Sequence, residues 1–312
     1  MTGGCAEPTS RGQARRQAGG GRRPEIGVTG ATGRLGGRVA RRLAAGGVAQ
    51  RLVVRDPDRA PSLPGAAAVR ASFGAPVDAR AALAGVTTLL MVSAAESADR
   101  VDQHRAFIDA ATAAGVTHLV YVSFYGASPT CTFTLGRDHA ATERHIRDVH
   151  AATGLRFTFL RDNLYADFLP ALVGLDDVIR GPAGDGRVAA VAQDDIADAA
   201  TAVLLAPSPH AGRTYSLTGP RALTLDQVAA ALTEATGRRI AYRPETPDEA
   251  YASRAGFGAP AWQVDAWVST YTAIAAGELA TVTTDIPELT GHPATSLADL
   301  LRRDASARAG GA

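Results

Sequence analysis

The sequence predicts an α/β protein built on a doubly wound parallel sheet, with a smaller, mostly helical C-terminal domain. Three observations carry this expectation. Short β-prone runs alternate with helical segments through the first half of the chain, the pattern that successive βαβ units impose. The run at 86–93 (VTTLLMVS) has no polar alternation, and another β-prone run follows at 116–124 (VTHLVYVSF); strands covered by helices on both faces read this way. A glycine-rich turn joins the first β-prone run to an amphipathic helix.

The elements follow in order. Residues 1–23 hold five arginines, one glutamate and nothing larger than methionine that could pack. Such a segment buries too little apolar area to offset its ordering entropy, so a disordered tail is expected there. Ile26-Gly27-Val28-Thr29 is the first strand. Beyond the glycines, Leu35, Val39 and Leu43 share one helical face while Arg38, Arg41 and Arg42 share another. Strands are expected at 51–54 and, weakly, at 69–73, with a short helix at 78–84. A helix follows at 99–114, with Val101, Phe107 and Ile108 inward. Residues 137–153 read as a helix closed by Gly154, and 156–160 as a sixth strand. Further on come a loop at 181–186, a helix at 194–205, a short strand at 214–217 and a Thr-capped helix at 224–236. Residues 240–242 are short and β-prone, the rest to 303 reads as mostly helical, and 305–312 as a frayed tail.

Bulk properties narrow the function. The formal charge of +1, with 46% apolar and 20% charged residues, offers no electrostatic footprint for nucleic acid or an anionic membrane. No apolar run reaches the roughly 18 residues of a membrane-spanning helix. Cys5 and Cys131 lie far apart with no CxxC spacing, which suits a reducing compartment and a soluble, cytoplasmic protein. All 32 basic residues are arginine. The lack of lysine excludes Schiff-base chemistry and the phosphate-binding lysine of a P-loop.

The segment Gly30-Ala31-Thr32-Gly33-Arg34-Leu35-Gly36 carries the chemistry. Its G-x-x-G-x-x-G spacing sits between a strand and a helix, as a Rossmann-like dinucleotide turn requires. Gly30 leaves the strand through a turn, Gly33 lets backbone N–H groups approach a pyrophosphate, and Gly36 allows close helix–sheet packing. Rossmann-like binding is expected over 24–155, and sheet completion plus a small substrate-binding region over 156–304. The second strand ends in Val54-Arg55-Asp56-Pro57. Where an NAD site places a carboxylate for the ribose hydroxyl, Arg55 offers a guanidinium suited to a 2′-phosphate, and Arg34 reaches the same group from the loop. NADP(H) is therefore the expected cofactor.

The proton relay common on dinucleotide folds pairs a serine with Tyr-x-x-x-Lys. Ser123 stands in the right place after its strand, but Tyr121 is followed four residues on by Tyr125, and Tyr125 by Pro129. Tyr125 is the one candidate for a catalytic group. His139, His145 and His150 are spaced six and five apart on one helix, which sends them to different faces, so no metal site is expected. His139 and Glu143 share a face at i, i+4 and read as a surface pair.

TGATGRLGG, VVRDP, DQHRAFIDAATAAGV, VYVSF, HAATERHI and FTFLRDNLYADF follow one another as in the NmrA-like branch of atypical short-chain dehydrogenases/reductases. GPAGDGRVAAVAQDDIADAA, TYSLTG, LTLDQVAAALTEATGRRIAY and GHPATSLADLL extend the resemblance over about residues 25–303. Within that branch the chain looks most similar to bacterial NADPH-dependent quinone oxidoreductases. The resemblance implies that Gly30 to Leu35 hold the pyrophosphate and Arg55 the 2′-phosphate. It places Ser93 by the nicotinamide ribose and Gln103 and Asp162 along the cofactor cleft, many members carrying Asn at the latter position. It implies hydride transfer from NADPH to a quinone or similar conjugated acceptor, without a tyrosine–lysine pair. Tyr125, Asn163, Tyr165 and Phe168 would form the acceptor side, and a homodimer is left open. The same branch contains non-catalytic redox sensors that bind the dinucleotide, which is the alternative reading.

Overall fold

The computed structural model describes Met1 and residues 25–310. The expected tail at 1–23 lies, Met1 apart, outside the described residues. The first half alternates β1 (Glu25–Thr29), α1 (Arg34–Ala45), β2 (Gln50–Val54), β3 (Ala66–Arg70), α2 (Pro76–Ala82), β4 (Val86–Met91), α3 (Arg100–Ala113), β5 (His118–Phe124), α4 (Thr134–Thr153) and β6 (Arg156–Asp162). Then come β7 (Val178–Gly181), β8 (Arg187–Val188), α5 (Gln193–Leu205), β9 (Thr214–Leu217), β10 (Leu223–Thr224), α6 (Leu225–Thr236), β11 (Ala241–Pro244), α7 (Pro247–Arg254), α8 (Ala261–Ala275), α9 (Asp285–Thr290) and α10 (Leu297–Gly310).

Seven strands form one sheet in the order β3-β2-β1-β4-β5-β6-β9, and every pairing in it is parallel. The order reverses between β1 and β4, which opens a crevice at the carboxyl ends of those strands. Alternate residues of the central strands supply two cores. Leu90, Val120 and Leu160 meet α1 and α5 on one face. Leu89, Leu119 and Phe159 meet α3 and α4 on the other. A third core joins the start of α4 to α6, α8 and α10. It lies over two small sheets, parallel β7–β11 and antiparallel β8–β10.

The structure departs from the sequence reading where tertiary contacts outweigh local preference. The third strand runs over Ala66–Arg70 rather than 69–73. Its alanines are poor strand formers, and pairing with β2 from Gln50↔Ala66 to Val54↔Arg70 selects them. Val101 is only partly buried, while Arg100 and His104 take the inward positions of α3. Helix α4 starts three residues early, its Thr134 N–H donating to the Ser269 hydroxyl at 3.1 Å on distant α8. On the arginine face of α1, Arg41 is exposed, but Arg38 pairs with Asp167 and Asp194, and Arg42 with Asp194 and Asp198, bolting α1 to α5. Helix α10 continues to Gly310, so the segment expected to fray from 305 is helical that far. No helix among the described residues is long and apolar enough to cross a membrane.

Candidate functional site

The glycine turn sits at the crevice between β1 and β4. Gly30 has φ +66°, a left-handed conformation that side chains rarely adopt. The Gly33 N–H donates to the Gly30 carbonyl at 2.8 Å, and α1 starts at the next residue. Gly33 contributes no capping side chain. The first-turn N–H groups therefore have no partner within the helix and form the positive end expected of an anion cradle.

A cavity of about 530 Å³ runs along this turn, lined by Gly30, Thr32, Gly33, Arg34, Leu35 and Gly36 on one side and by Arg55, Ser93 and Gln103 on the other. Nine of the eleven expected cofactor residues thus share one wall system. Ala31 does not: it is 2% exposed and packs into the first core. Asp162 lines the adjoining cavity instead. Arg55 and Arg34 are exposed and form no ion pair among the described residues. Asp56 accepts from the Asp58 N–H at 3.2 Å as the cap of a short 3-10 turn, which removes it from the ribose position.

The adjoining cavity, about 500 Å³, shares Arg34, Leu35 and Ser93 with the first. Asp162, Asn163 and Tyr165 line it from the end of β6, and Arg100 and His139 from α3 and α4. A third, apolar space of about 300 Å³ continues past Tyr165 to Phe168 and Trp267. Asn163 is held at both ends, donating to the Leu279 carbonyl at 3.0 Å and accepting from the Leu164 N–H at 2.8 Å. Tyr125 lines none of the three. Its N–H donates to the Asp162 carbonyl at 2.8 Å, and its ring packs on the third core.

Asp162 is 1% exposed; one carboxyl oxygen accepts from the Tyr165 hydroxyl at 3.3 Å and the other has no partner. Burial pushes its carboxyl well above the usual range, only partly opposed by Tyr165, which favours the protonated form. In its protonated form Asp162 has the shape and neutrality of an asparagine.

The surface pair expected of His139 and Glu143 is interior, at 8% and 1% exposure. The error came from reading helical spacing without the sheet it packs on. Glu143 accepts from the Ser123 hydroxyl at 2.7 Å and from Arg161 through two bonds of 2.8 and 2.6 Å. Ser123 is thereby tied into a structural ion pair. His139 instead lines the second cavity, and its imidazole is driven well below its usual range by burial and by Arg100. His104 is likewise lowered to about 3 by burial and the same arginine. It accepts from the Ala94 N–H at 2.9 Å and bonds the Thr142 hydroxyl at 2.9 Å. Arg100 and His139 escaped the sequence reading; the inward i, i+4 spacing of Arg100 and His104 on α3 was the available signal.

Asp195, Asp198 and His292 form one cluster of potential metal ligands among the described residues. Asp195 is engaged by Thr295 through bonds of 2.6 and 2.8 Å, and Asp198 by Arg42 at 2.6 Å.

A parallel sheet with a glycine turn and a basic residue at the ribose end defines a dinucleotide-binding protein, and comparison with known proteins agrees. A profile of the NAD(P)H-binding family matches residues 30–207. The chain is 34% identical to quinone oxidoreductase 2 of Escherichia coli over 281 residues, covering 88% of this chain and 96% of that protein. It is 32% identical to the NAD(P)H azoreductase of Xenophilus azovorans over 289 residues, 90% of this chain and 98% of that one. The crystal structure of an NADPH-dependent quinone oxidoreductase from E. coli complexed with NADPH superposes with a TM-score of 0.80 at 32% identity, covering 89% of this chain and 99% of that one. The chain belongs to the NAD(P)H-binding family, in the NmrA-like branch of atypical short-chain dehydrogenases/reductases.

Proposed function

We propose that this protein is an NADPH-dependent oxidoreductase that reduces a quinone or a similar conjugated acceptor. The observation that carries the reading is the junction at Ser93, where a cavity walled by the glycine turn and Arg55 opens into a second one walled by Asp162, Asn163 and Tyr165. The named activities of the E. coli and Xenophilus relatives support it.

The residues present fit the dinucleotide: Gly36 leaves room for nothing but a hydrogen beside Gly30, and Arg55 has no carboxylate partner among the described residues. Gly30 to Leu35 would hold the pyrophosphate, Arg55 and Arg34 the 2′-phosphate, and Ser93 the nicotinamide ribose. When bound, NADPH supplies a hydride, which with one proton converts a quinone to its hydroquinone. The protein's own part is to orient the two molecules and to keep water from the junction. Asn163 fixes the backbone there, Tyr165 and Phe168 flank the flat acceptor, and burial disfavours a negative charge on Asp162 beside it. No tyrosine–lysine relay takes part, because the chain has no lysine and Tyr125 faces a core. A quinone accepts the electron pair into a conjugated system and needs no such relay.

The test is NADPH oxidation followed at 340 nm with a panel of benzo- and naphthoquinones. Turnover with at least one supports the reading. Tight NADPH binding with no turnover across the panel would overturn it in favour of a dinucleotide sensor.

A further inference from the structure

The second cavity contains a charge that the fold does not neutralise. Arg100 opens α3 at 6% exposure and forms no ion pair among the described residues. Its Nε donates to the Ala94 carbonyl at 3.2 Å, and one terminal nitrogen lies 3.3 Å from His139 Nε2. Arginine only donates, so His139 Nε2 accepts and its Nδ1 carries the ring proton. That proton points to the Tyr121 hydroxyl at 2.9 Å, which stands 3.4 Å from Ser93 Oγ; the Ser93 hydroxyl donates to the Val122 carbonyl at 2.8 Å. Every group in this chain is neutral except the guanidinium that starts it, and the other terminal nitrogen of Arg100 has no hydrogen-bond partner among the described residues.

An uncompensated buried charge costs several kcal/mol, so a fold that retains one keeps it for a counter-charge from elsewhere. The nearby carboxyls do not supply it. Asp138 feels the guanidinium's field without reaching ion-pair distance. Asp162 is turned to Tyr165, and Glu96 is exposed at the mouth of the cavity. The phosphates of the dinucleotide fall to the glycine turn and Arg55, at the far side of Ser93. The same cavity has an apolar stretch of wall, with Phe133, Leu135 and Leu164, against which a flat ring can lie.

We infer that Arg100 anchors an anionic oxygen of the acceptor, so that the preferred acceptors are conjugated molecules bearing a sulfonate, carboxylate, phosphate or ionised hydroxyl beside the reducible system. The inference rests on the quinone-reductase reading and names its substrate class. Arg100 sets specificity by binding, holding the acid group while the flat ring lies over the junction at Ser93.

The test compares 1,4-naphthoquinone-2-sulfonate with 2-methyl-1,4-naphthoquinone, in which a methyl group replaces the acid, on the parent, Arg100→Gln and Arg100→Lys. Charged hydrogen bonds are worth about 1.5–3 kcal/mol, or roughly 10- to 150-fold. Arg100→Gln should raise KM for the sulfonate at least tenfold and that for the methyl compound less than threefold, with NADPH Kd unchanged. Arg100→Lys should recover part of the loss. Binding of naphthalene-2-sulfonate to the NADP⁺-loaded protein, followed by calorimetry, should weaken in parallel. A parent that does not favour the sulfonate, or an Arg100→Gln that affects both quinones or NADPH alike, would overturn the inference without touching the reductase reading. Absent turnover with both quinones, with Arg100-dependent naphthalenesulfonate binding intact, would sink the reductase reading and leave the anion site standing.

Discussion

Gly36 lies so close to Gly30 that a Cβ on it would fall 2.5 Å from the Gly30 carbonyl oxygen and 2.6 Å from that of Thr29. Both obstacles are backbone and cannot swing away. Gly36→Ala must therefore push α1 off β1 and distort the cradle at its N-terminus. The expected cost is about 1–3 kcal/mol of stability, the usual range for overpacking, together with a weakened NADPH affinity. Thermal unfolding and NADPH titration check it, and a variant with parental values in both would contradict the close packing.

Asp162 makes a prediction about pH. Unfolded, its carboxyl ionises near the ordinary value of about 3.9; folded, burial holds it well above that range. Between the two values the folded state binds more protons, so the stability due to the protonated form is full at low pH and declines as pH rises. Asp162→Asn removes this loss. The variant should gain on the parent as pH increases from 5 to 8, by up to about 1.4 kcal/mol per pH unit until the folded carboxyl ionises. Urea unfolding at four pH values reads the difference. Parallel stability curves would show that Asp162 is ionised in the fold.

Arg55 should decide between cofactors. It stands exposed at the end of β2 on the cofactor cavity, while Asp56 is occupied as a cap. One lost charged contact costs about 1.5–3 kcal/mol, so Arg55→Asp should lose roughly that much affinity for NADPH while leaving NADH binding equal or improved. Equal affinities for the two cofactors in the parent would refute the role.

Tyr125 should matter little to the chemistry. Since its ring packs on the third core and lines none of the three cavities described, Tyr125→Phe should lower kcat/KM by less than about tenfold, or about 1.4 kcal/mol. General acids contribute roughly 10²- to 10⁴-fold. A thousandfold loss with NADPH binding intact would reveal an essential proton donor at this position.

The alternation of strand and helix was legible because each element carries its own periodicity, and the glycine turn because its spacing serves a backbone need. The cleft residues contributed by loops, from Gly30 to Arg55 and Ser93, were legible for the same reason or through the resemblance. Arg100 and His139 were not, since a buried polar group on a helix has the same local signature as an exposed one. Glu143 shows this plainly: its i, i+4 relation to His139 suits a surface, and only the sheet behind α4 with Arg161 and Ser123 makes it interior. The short strands β7, β8 and β10 escaped for a related reason, whereas β11 overlaps the β-prone run at 240–242. Runs of two or four residues have no period to read, and they exist through pairing with partners as distant as Ala241 from Val178.

The central claim is that electrons leave NADPH as a hydride directly to the acceptor in the cleft at Ser93. The most direct measurement is a single turnover of protein loaded with NADPH, deuterated at C4 on one face or the other, mixed with a naphthoquinone. NADPH and quinone should disappear one for one, and one of the two deuterated forms should react measurably more slowly. Stoichiometric NADPH binding with no oxidation, or oxidation at the same rate for both forms when the chemical step is shown to limit, would contradict it.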